Sequence, residues 1–261
     1  MIQALASENN PLLKQVRRAV ARGTLTDDGY AVAESFHLLE EALSANCEIK
    51  AILAAESMQE TIAARVRGFK RAEVIPVRDA VFARLSSTEA TQGAIALVRP
   101  PAWTLDRVLH GNSLLLALDG VQDPGNAGAI LRSAEAFGAT GAIFLKGSVN
   151  PYNPKCLRAS AGSIFRLPIA VSVDDGLLLA ALDQKRIAIY AATPRAKTPL
   201  WDADWKRPCA IVIGNEGSGV RAALQDRASG LKIPTTGVES LNAAVAAGVL
   251  LYEARRQRSL A

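Results

Sequence analysis

Three cysteines and two histidines are all that this 261-residue chain offers to metals or to thiol and imidazole chemistry. Cys47, Cys156 and Cys209 lie far apart with no CxxC pair, and His37 and His110 have no recognisable motif around them. Neither a metal site nor a Ser-His-Asp or Cys-His nucleophile is expected. Aromatic residues make up only 5%, which leaves Ala, Leu, Val and Ile to build the core. Long apolar runs are missing too: LLLAL at 114–118 is strand-sized, and the opening MIQALASENN is polar by its seventh residue. No membrane span and no secretory segment is expected from such a pattern, so a cytoplasmic protein is expected, and the mean hydropathy of +0.14 with 49% hydrophobic residues is that of an ordinary globular chain.

What the chain has in excess is arginine. Arginines outnumber lysines 21 to 9, and the formal net charge of +5 arises beyond residue 101. Residues 1–101 carry twelve basic and twelve acidic side chains, whereas residues 102–261 carry eighteen and thirteen. A planar guanidinium donates two parallel hydrogen bonds to a phosphate where an ammonium acts as a point charge, so an arginine-rich surface suits phosphate recognition; a merely solvated surface has the same composition.

The composition shifts at Arg99-Pro100-Pro101-Ala102-Trp103, where two prolines stop a helix and favour an extended connection. The expected organisation is a first domain at 1–99, a linker at 100–112 and a second domain at 113–261. In the first, patterning predicts helices at 11–22, 31–45, 59–68 and 79–85, and strands at 48–55, 72–77 and 93–98, a small α/β domain. In the second, apolar strands alternate with helices, ending in LKIP and a helix over 241–257, which indicates a parallel sheet covered on both faces. Ligands on such sheets sit beyond the carboxyl ends of the strands, which draws attention to the loops at 119–126, 193–199, 214–219 and 234–241.

Three motifs occupy these loops. In LDGVQDPGNAGAILRSAEAFGA (118–139), Asp123-Pro124-Gly125 makes a turn and Asn126 stands where it can cap the following helix. Ile130, Ala134 and Phe137 form the buried stripe; Arg132 points elsewhere, to solvent or toward a phosphate or partner subunit. In AIVIGNEGSGV (210–220), Gly214, Gly217 and Gly219 let the backbone turn sharply and approach a ligand closely. The spacing is GxxGxG, neither a dinucleotide fingerprint nor a Walker loop. In KIPTTGVESLNAAVAAGVLLYEARR (232–256), Ser240 and Asn242 can each cap a helix whose small residues permit close packing on another element or a twin subunit.

In this order and with these flanking strands, the motifs resemble the SpoU/TrmH family of RNA ribose 2′-O-methyltransferases in the SPOUT superfamily. The resemblance rests on Asn126-Ala-Gly128-Ala-Ile130-Leu-Arg132, on Ile213-Gly214-Asn215-Glu216-Gly217-Ser-Gly219, and on Ile233-Pro234 followed by Glu239-Ser240-Leu241-Asn242. It covers residues 113–257; the first hundred residues are similar to the ribosomal-protein-like substrate-binding domain that many members carry in front. The resemblance implies a Rossmann-like parallel sheet whose end is tied in a deep trefoil knot, with S-adenosylmethionine held in the knot. The contacts it implies are Thr193, Gly214, Ile233 and Leu241, with Asn215, Pro234 and Ser240 close by. It nominates Asn126, Arg132, Glu216 and Asn242 for catalysis, a homodimer packed through the last helix, and RNA as substrate, ribosomal RNA ahead of transfer RNA. Two other readings stay open: a SPOUT enzyme methylating a base nitrogen, and a non-catalytic RNA-binding or ribosome-assembly protein of the same fold.

The amino-terminal region is expected to choose the RNA. Lys14, Arg17, Arg18 and Arg22 fall on one helix, and Arg65, Arg67, Lys70 and Arg71 cluster later. With few aromatics there for stacking (Tyr30, Phe36, Phe69, Phe82), recognition of RNA shape is expected over reading of single-stranded bases.

Overall fold

In the computed structural model of the chain, residues 4–67, 73–86 and 92–259 are described. The chain divides into two compact units, Met1–Pro101 with Tyr152–Arg166, and Ala102–Pro151 with Leu167–Ala261.

In the first unit α1 (Pro11–Arg22) opens with Pro11 behind an Asn10 side chain that accepts from the Leu12 N–H, and closes on Gly23 at φ +63°. There follow β1 (Ala31–Glu34), α2 (Phe36–Ser44), β2 (Glu48–Ala55), α3 (Gln59–Val66), β3 (Val74–Val77), α4 (Asp79–Phe82) and β4 (Ala94–Arg99). The sheet order is β1-β4-β2-β3, with β4 antiparallel to both neighbours and β3 parallel to β2. The helix expected over 31–45 is a strand followed by a helix. All four residues of Ala31-Val32-Ala33-Glu34 are buried and pair with Glu34↔Ile95 through Ala31↔Val98. Ser35 then starts the helix by accepting from the Leu38 N–H. Sheet pairing has overridden the helical preference of alanine and glutamate.

The basic helix α1 buries Leu13, Val16 and Ala19. Two of its cations are already engaged, Arg17 with Glu8 at 3.2 Å and Arg18 with Asp27 at 3.2 Å. Lys14 and Arg22 are exposed, with no ion pair among the described residues. In the second basic cluster Arg65 pairs with Glu40 at 3.7 Å and lies over the Phe36 ring; Phe69, Lys70 and Arg71 lie outside the described residues.

The second unit begins with α5 (Leu105–Val108) within the stretch expected as a linker; Val108 and Leu109 are buried in its core. It continues with β5 (Leu114–Asp119), α6 (Pro124–Ala136) and β6 (Gly141–Leu145). Next comes α7 (Pro154–Ser160), which groups with the first unit, where Arg158 lies 3.5 Å from the buried carboxylate of Glu34. Then follow β7 (Ile169–Val173), α8 (Asp175–Gln184), β8 (Ala188–Ala192), β9 (Thr198–Pro199), β10 (Cys209–Gly214), α9 (Ala222–Gln225), β11 (Ser229–Lys232) and α10 (Ala243–Ser259). The seven strands are all parallel, in the order β7-β6-β5-β10-β8-β11-β9. β5 and β6 are buried throughout, as strands covered on both faces must be. From β5 the chain moves outward on one side to β6 and β7, then returns to the other side of β5 for the remaining strands. The reversal lies beside β5, and crevices at such reversals are where ligands bind.

Two helix starts bear on the site. Asp123 accepts from the Asn126 N–H at 2.8 Å ahead of Pro124, so Asp123 caps α6 and Asn126 does not. Asn242 caps α10, its Oδ1 accepting from the N–H groups of Ala244 at 2.9 Å and Val245 at 3.3 Å. Among the described residues no helix is long and apolar enough to cross a membrane, and no cluster of three His, Cys, Asp or Glu side chains is placed to hold a metal. Asp123→Ala is expected to lower the stability of the protein by about 0.5–2 kcal/mol, the usual worth of an N-cap; urea unfolding measures it, and an unchanged midpoint would show that another group caps α6.

Candidate active site

A cavity of about 890 Å³ opens beyond the carboxyl ends of β8, β10 and β11. Thr193 follows β8, Gly214 ends β10 and Asn215 follows it, Ile233 follows β11, and Ser240 and Leu241 precede α10; all six line it. Pro234 does not itself line the cavity, although both its neighbours, Ile233 and Thr235, do.

The glycine loop gets its shape from local bonds. Asn215 and Gly219 exchange main-chain hydrogen bonds at 3.0 and 2.9 Å, closing a tight turn in which Gly219 takes φ +72°. The Asn215 Oδ1 accepts from the N–H groups of Gly217 and Ser218 at 2.9 and 3.0 Å, while its Nδ2 donates to the Gly120 carbonyl at 2.8 Å. A Cβ on Gly214 would stand 2.3 Å from the Gly219 carbonyl carbon and 2.4 Å from the Val220 nitrogen, so the returning loop leaves room for hydrogen only.

Three of the four expected catalytic residues meet. The Asn242 Nδ2 donates to the Asn126 Oδ1 at 3.0 Å, and the Asn126 Nδ2 donates to the Glu216 Oε1 at 2.8 Å. With its cap duty taken by Asp123, the Asn126 side chain is free to join two loops 90 and 116 residues away. It keeps one N–H and one oxygen lone pair for a further partner. Glu216 and Asn242 also line the cavity, so this chain of amides and carboxylate stands at its wall. Arg132 is elsewhere: it is exposed on α6, outside the cavity lining, with no hydrogen bond or ion pair among the described residues. Six residues beyond Asn126, at roughly 100° and 1.5 Å per residue, it projects from another face of the helix about 9 Å further along.

Some neighbours were not legible as functional. Asp119, 3% exposed at the end of β5, accepts from the Arg221 N–H at 2.7 Å and from its Nε at 2.5 Å. Arg195 and Glu239 add opposite charges to the cavity lining. The only sequence signal for the first pair is position, one residue at a strand end and one just past a glycine loop.

Fold and site together define a two-unit α/β protein whose parallel sheet has a cavity at its carboxyl edge. The SpoU rRNA Methylase family matches residues 113–252, and the MRM3-like substrate binding domain matches residues 10–96. The chain belongs to the SpoU rRNA methylase family. An uncharacterized tRNA/rRNA methyltransferase of Synechocystis sp. is 34% identical over 271 residues, spanning 98% of this chain and 95% of that protein. The 23S rRNA (guanosine-2′-O-)-methyltransferase RlmB of Xylella fastidiosa is 43% identical over 152 residues, 58% of this chain and 61% of its own length. The crystal structure of the SpoU methyltransferase AviRb from Streptomyces viridochromogenes, in complex with AdoMet, is similar with a TM-score of 0.88 at 29% identity, covering 96% of this chain and 99% of that one.

Gly214→Ala is expected to destabilise the protein by roughly 1–3 kcal/mol through overpacking against main chain. Gly217→Ala, whose Cβ would find only the Asn215 Oδ1 at 3.5 Å, should cost much less. Equal effects of the two in a urea titration would contradict the close approach.

Proposed function

We propose that this protein transfers a methyl group from S-adenosylmethionine to the 2′-hydroxyl of a ribose in structured RNA, with ribosomal RNA as the substrate and the cytoplasm as its place of work. The observation that carries the proposal is the Asn242–Asn126–Glu216 chain at the wall of a cavity edged by three parallel strand ends. The cavity fits the donor: its volume lies in the range of roughly 300–1,000 Å³ usual for small-molecule sites. Thr193, Asn215 and Ser240 supply polar groups, and Ile233 and Leu241 an apolar wall. When bound, the donor supplies an electrophilic methyl group.

The chain's own residues then have separable tasks. Asn126, fixed from both sides by Glu216 and Asn242, offers its remaining donor and acceptor to orient the ribose. Arg132, always charged, binds the neighbouring phosphate and stabilises the negative charge that develops on the ribose oxygen. In the first unit Lys14 and Arg22, exposed on α1 and without an ion pair among the described residues, take RNA phosphates. The threaded knot belongs to the same proposal, supported by β10 lying between β5 and β8 and by α10 returning onto α6 and β10.

Because Arg132 stands apart from the amide chain of its own subunit, the proposal places it in a site shared by two copies. Val245, Val249 and Tyr252 form an exposed apolar stripe at i, i+4 and i+7 of α10, and Phe137, just after α6, packs edge-on against Tyr252 at 5.8 Å. Such a stripe beside α6 suits an isologous dimer.

RNA treated with the protein and the donor is expected to gain a methyl group that blocks alkaline cleavage at one linkage. A methylated but cleavable linkage would mean base methylation instead, and RNA binding without donor uptake in calorimetry would mean a non-catalytic protein. Arg132→Lys should leave donor affinity unchanged and lower kcat by roughly 100-fold, the scale of losing one preorganised donor at a developing anion; near-normal turnover would refute a bidentate role. Tyr252→Glu should give a monomer in light scattering with much reduced turnover, and a persisting dimer would remove α10 from the interface.

A further inference from the structure

The loop after β10 is bound to the connection after β5 at three places. Asn215 donates to the Gly120 carbonyl at its entrance and Glu216 receives Asn126 in its middle. At its exit Arg221 meets Asp119. The third tie differs from the other two in kind. Both oxygens of one almost fully buried carboxylate are spent on two atoms of a single residue, Oδ2 on the Arg221 main-chain N–H and Oδ1 on its Nε. Side chain and backbone of Arg221 can satisfy that carboxylate together only if the loop leaves β10 in one place and one orientation. The rest of the guanidinium reaches further: Nη2 donates to the Lys146 carbonyl at the end of β6 at 2.9 Å, and Nη1 stands 3.8 Å from the Asp175 carboxylate at the start of α8. One side chain thus joins the carboxyl ends of β5 and β6, the start of α8 and the glycine loop.

We propose that Asp119 and Arg221 are positioning residues for methyl transfer, holding the Gly214–Gly219 loop so that Glu216 meets Asn126 and the cavity keeps its wall. This rests on the methyltransferase reading above for its kinetic consequences, though not for its structural one. Neither residue lines the cavity, so each acts through the loop. A lysine at 221 would keep the charge but lose the planar fork, reaching one of these partners at a time. The loop residues that Arg221 holds include the cavity-lining Asn215, Glu216 and Gly217, so loosening it affects donor affinity as well as rate.

The test uses the full chain with Arg221→Lys, Asp119→Asn, Glu216→Gln and the double variant Arg221→Lys/Glu216→Gln. Arg227→Lys, in an exposed pair with Asp183 at 2.7 Å, serves as a control for losing an arginine pair in the same unit. Hydrogen exchange is read on peptides spanning 119–126 and 215–221. Arg221→Lys is expected to speed exchange there while the amides of β6 keep theirs, and Arg227→Lys is expected to change neither. Unchanged exchange in both loop peptides overturns the proposal, with or without any activity. Kinetically, Arg221→Lys should lower kcat by roughly 10- to 100-fold, the cost of a small displacement of reacting groups. In the Glu216→Gln background the same change should cost little more, because the two act as one unit. Losses that multiply would assign Arg221 a general structural role and overturn the positioning role. Should Arg221→Lys fail to fold, Asp119→Asn, which keeps the size of the buried group, carries the same measurements. A wild-type chain that methylates no RNA overturns the methyltransferase reading alone, and the exchange arm still decides this proposal.

Discussion

The register between β5 and β10 is the constraint on which the site depends. The two strands run parallel with Asp119 level with Gly214, so they end together and their following loops leave the sheet side by side. A parallel strand leaves main-chain groups unpaired where it stops, and two that stop level offer those groups to each other's loops. From this one alignment follow the bonds from Asn215 to Gly120, from Asn126 to Glu216 and from Arg221 to Asp119. On the other flank β8 is aligned with β10 through Ala191↔Val212 and with β11 through Ala191↔Gly230. Their three ends make the rim of the cavity, and the amide chain stands where the rim meets β5.

The electrostatics of the site are built from few charges. One buried carboxylate, Asp119, is matched on both oxygens by a single arginine. Glu216 is held by a neutral amide through one oxygen. The chain between α10 and the glycine loop is made of two asparagines, which donate and accept at once and do not change charge with pH. Such a neutral relay fixes geometry, and Arg132, exposed on α6, has no ion pair among the described residues. The small residues of α10 serve the same end, since Ala243, Ala247 and Ala254 let the helix lie close on its neighbours and set Asn242 within reach of Asn126.

In both units some cations are paired with carboxylates and others stay open among the described residues. On α1, half of the expected phosphate-binding set is paired with Glu8 and Asp27, and among the described residues Lys14 and Arg22 have no ion pair. A cluster counted on a helix is therefore smaller as a binding surface than as a composition. Position decides which arginines remain available: Arg17 and Arg18 find carboxylates in the segments flanking their own helix, whereas Arg132 on α6 finds none among the described residues.

The sequence by itself determined the parallel sheet, because near-continuous apolar runs such as Leu114–Asp119 and Cys209–Gly214 can be satisfied only when buried on both faces. It also marked the loops that would matter, since glycines, asparagines and prolines at strand ends are local signals. It misread Ala31–Glu34 as helix, because those residues form a strand only when Ile95–Val98 lies alongside. It left the task of Asn126 open, because cap and bridge use the same side chain and only the folded chain shows Asp123 taking the first. The tertiary structure alone decided which distant residues meet. Asn126 and Asn242 stand 116 positions apart and Asp119 and Arg221 stand 102 apart, and no periodicity along a chain encodes a contact created by strands aligning across a sheet.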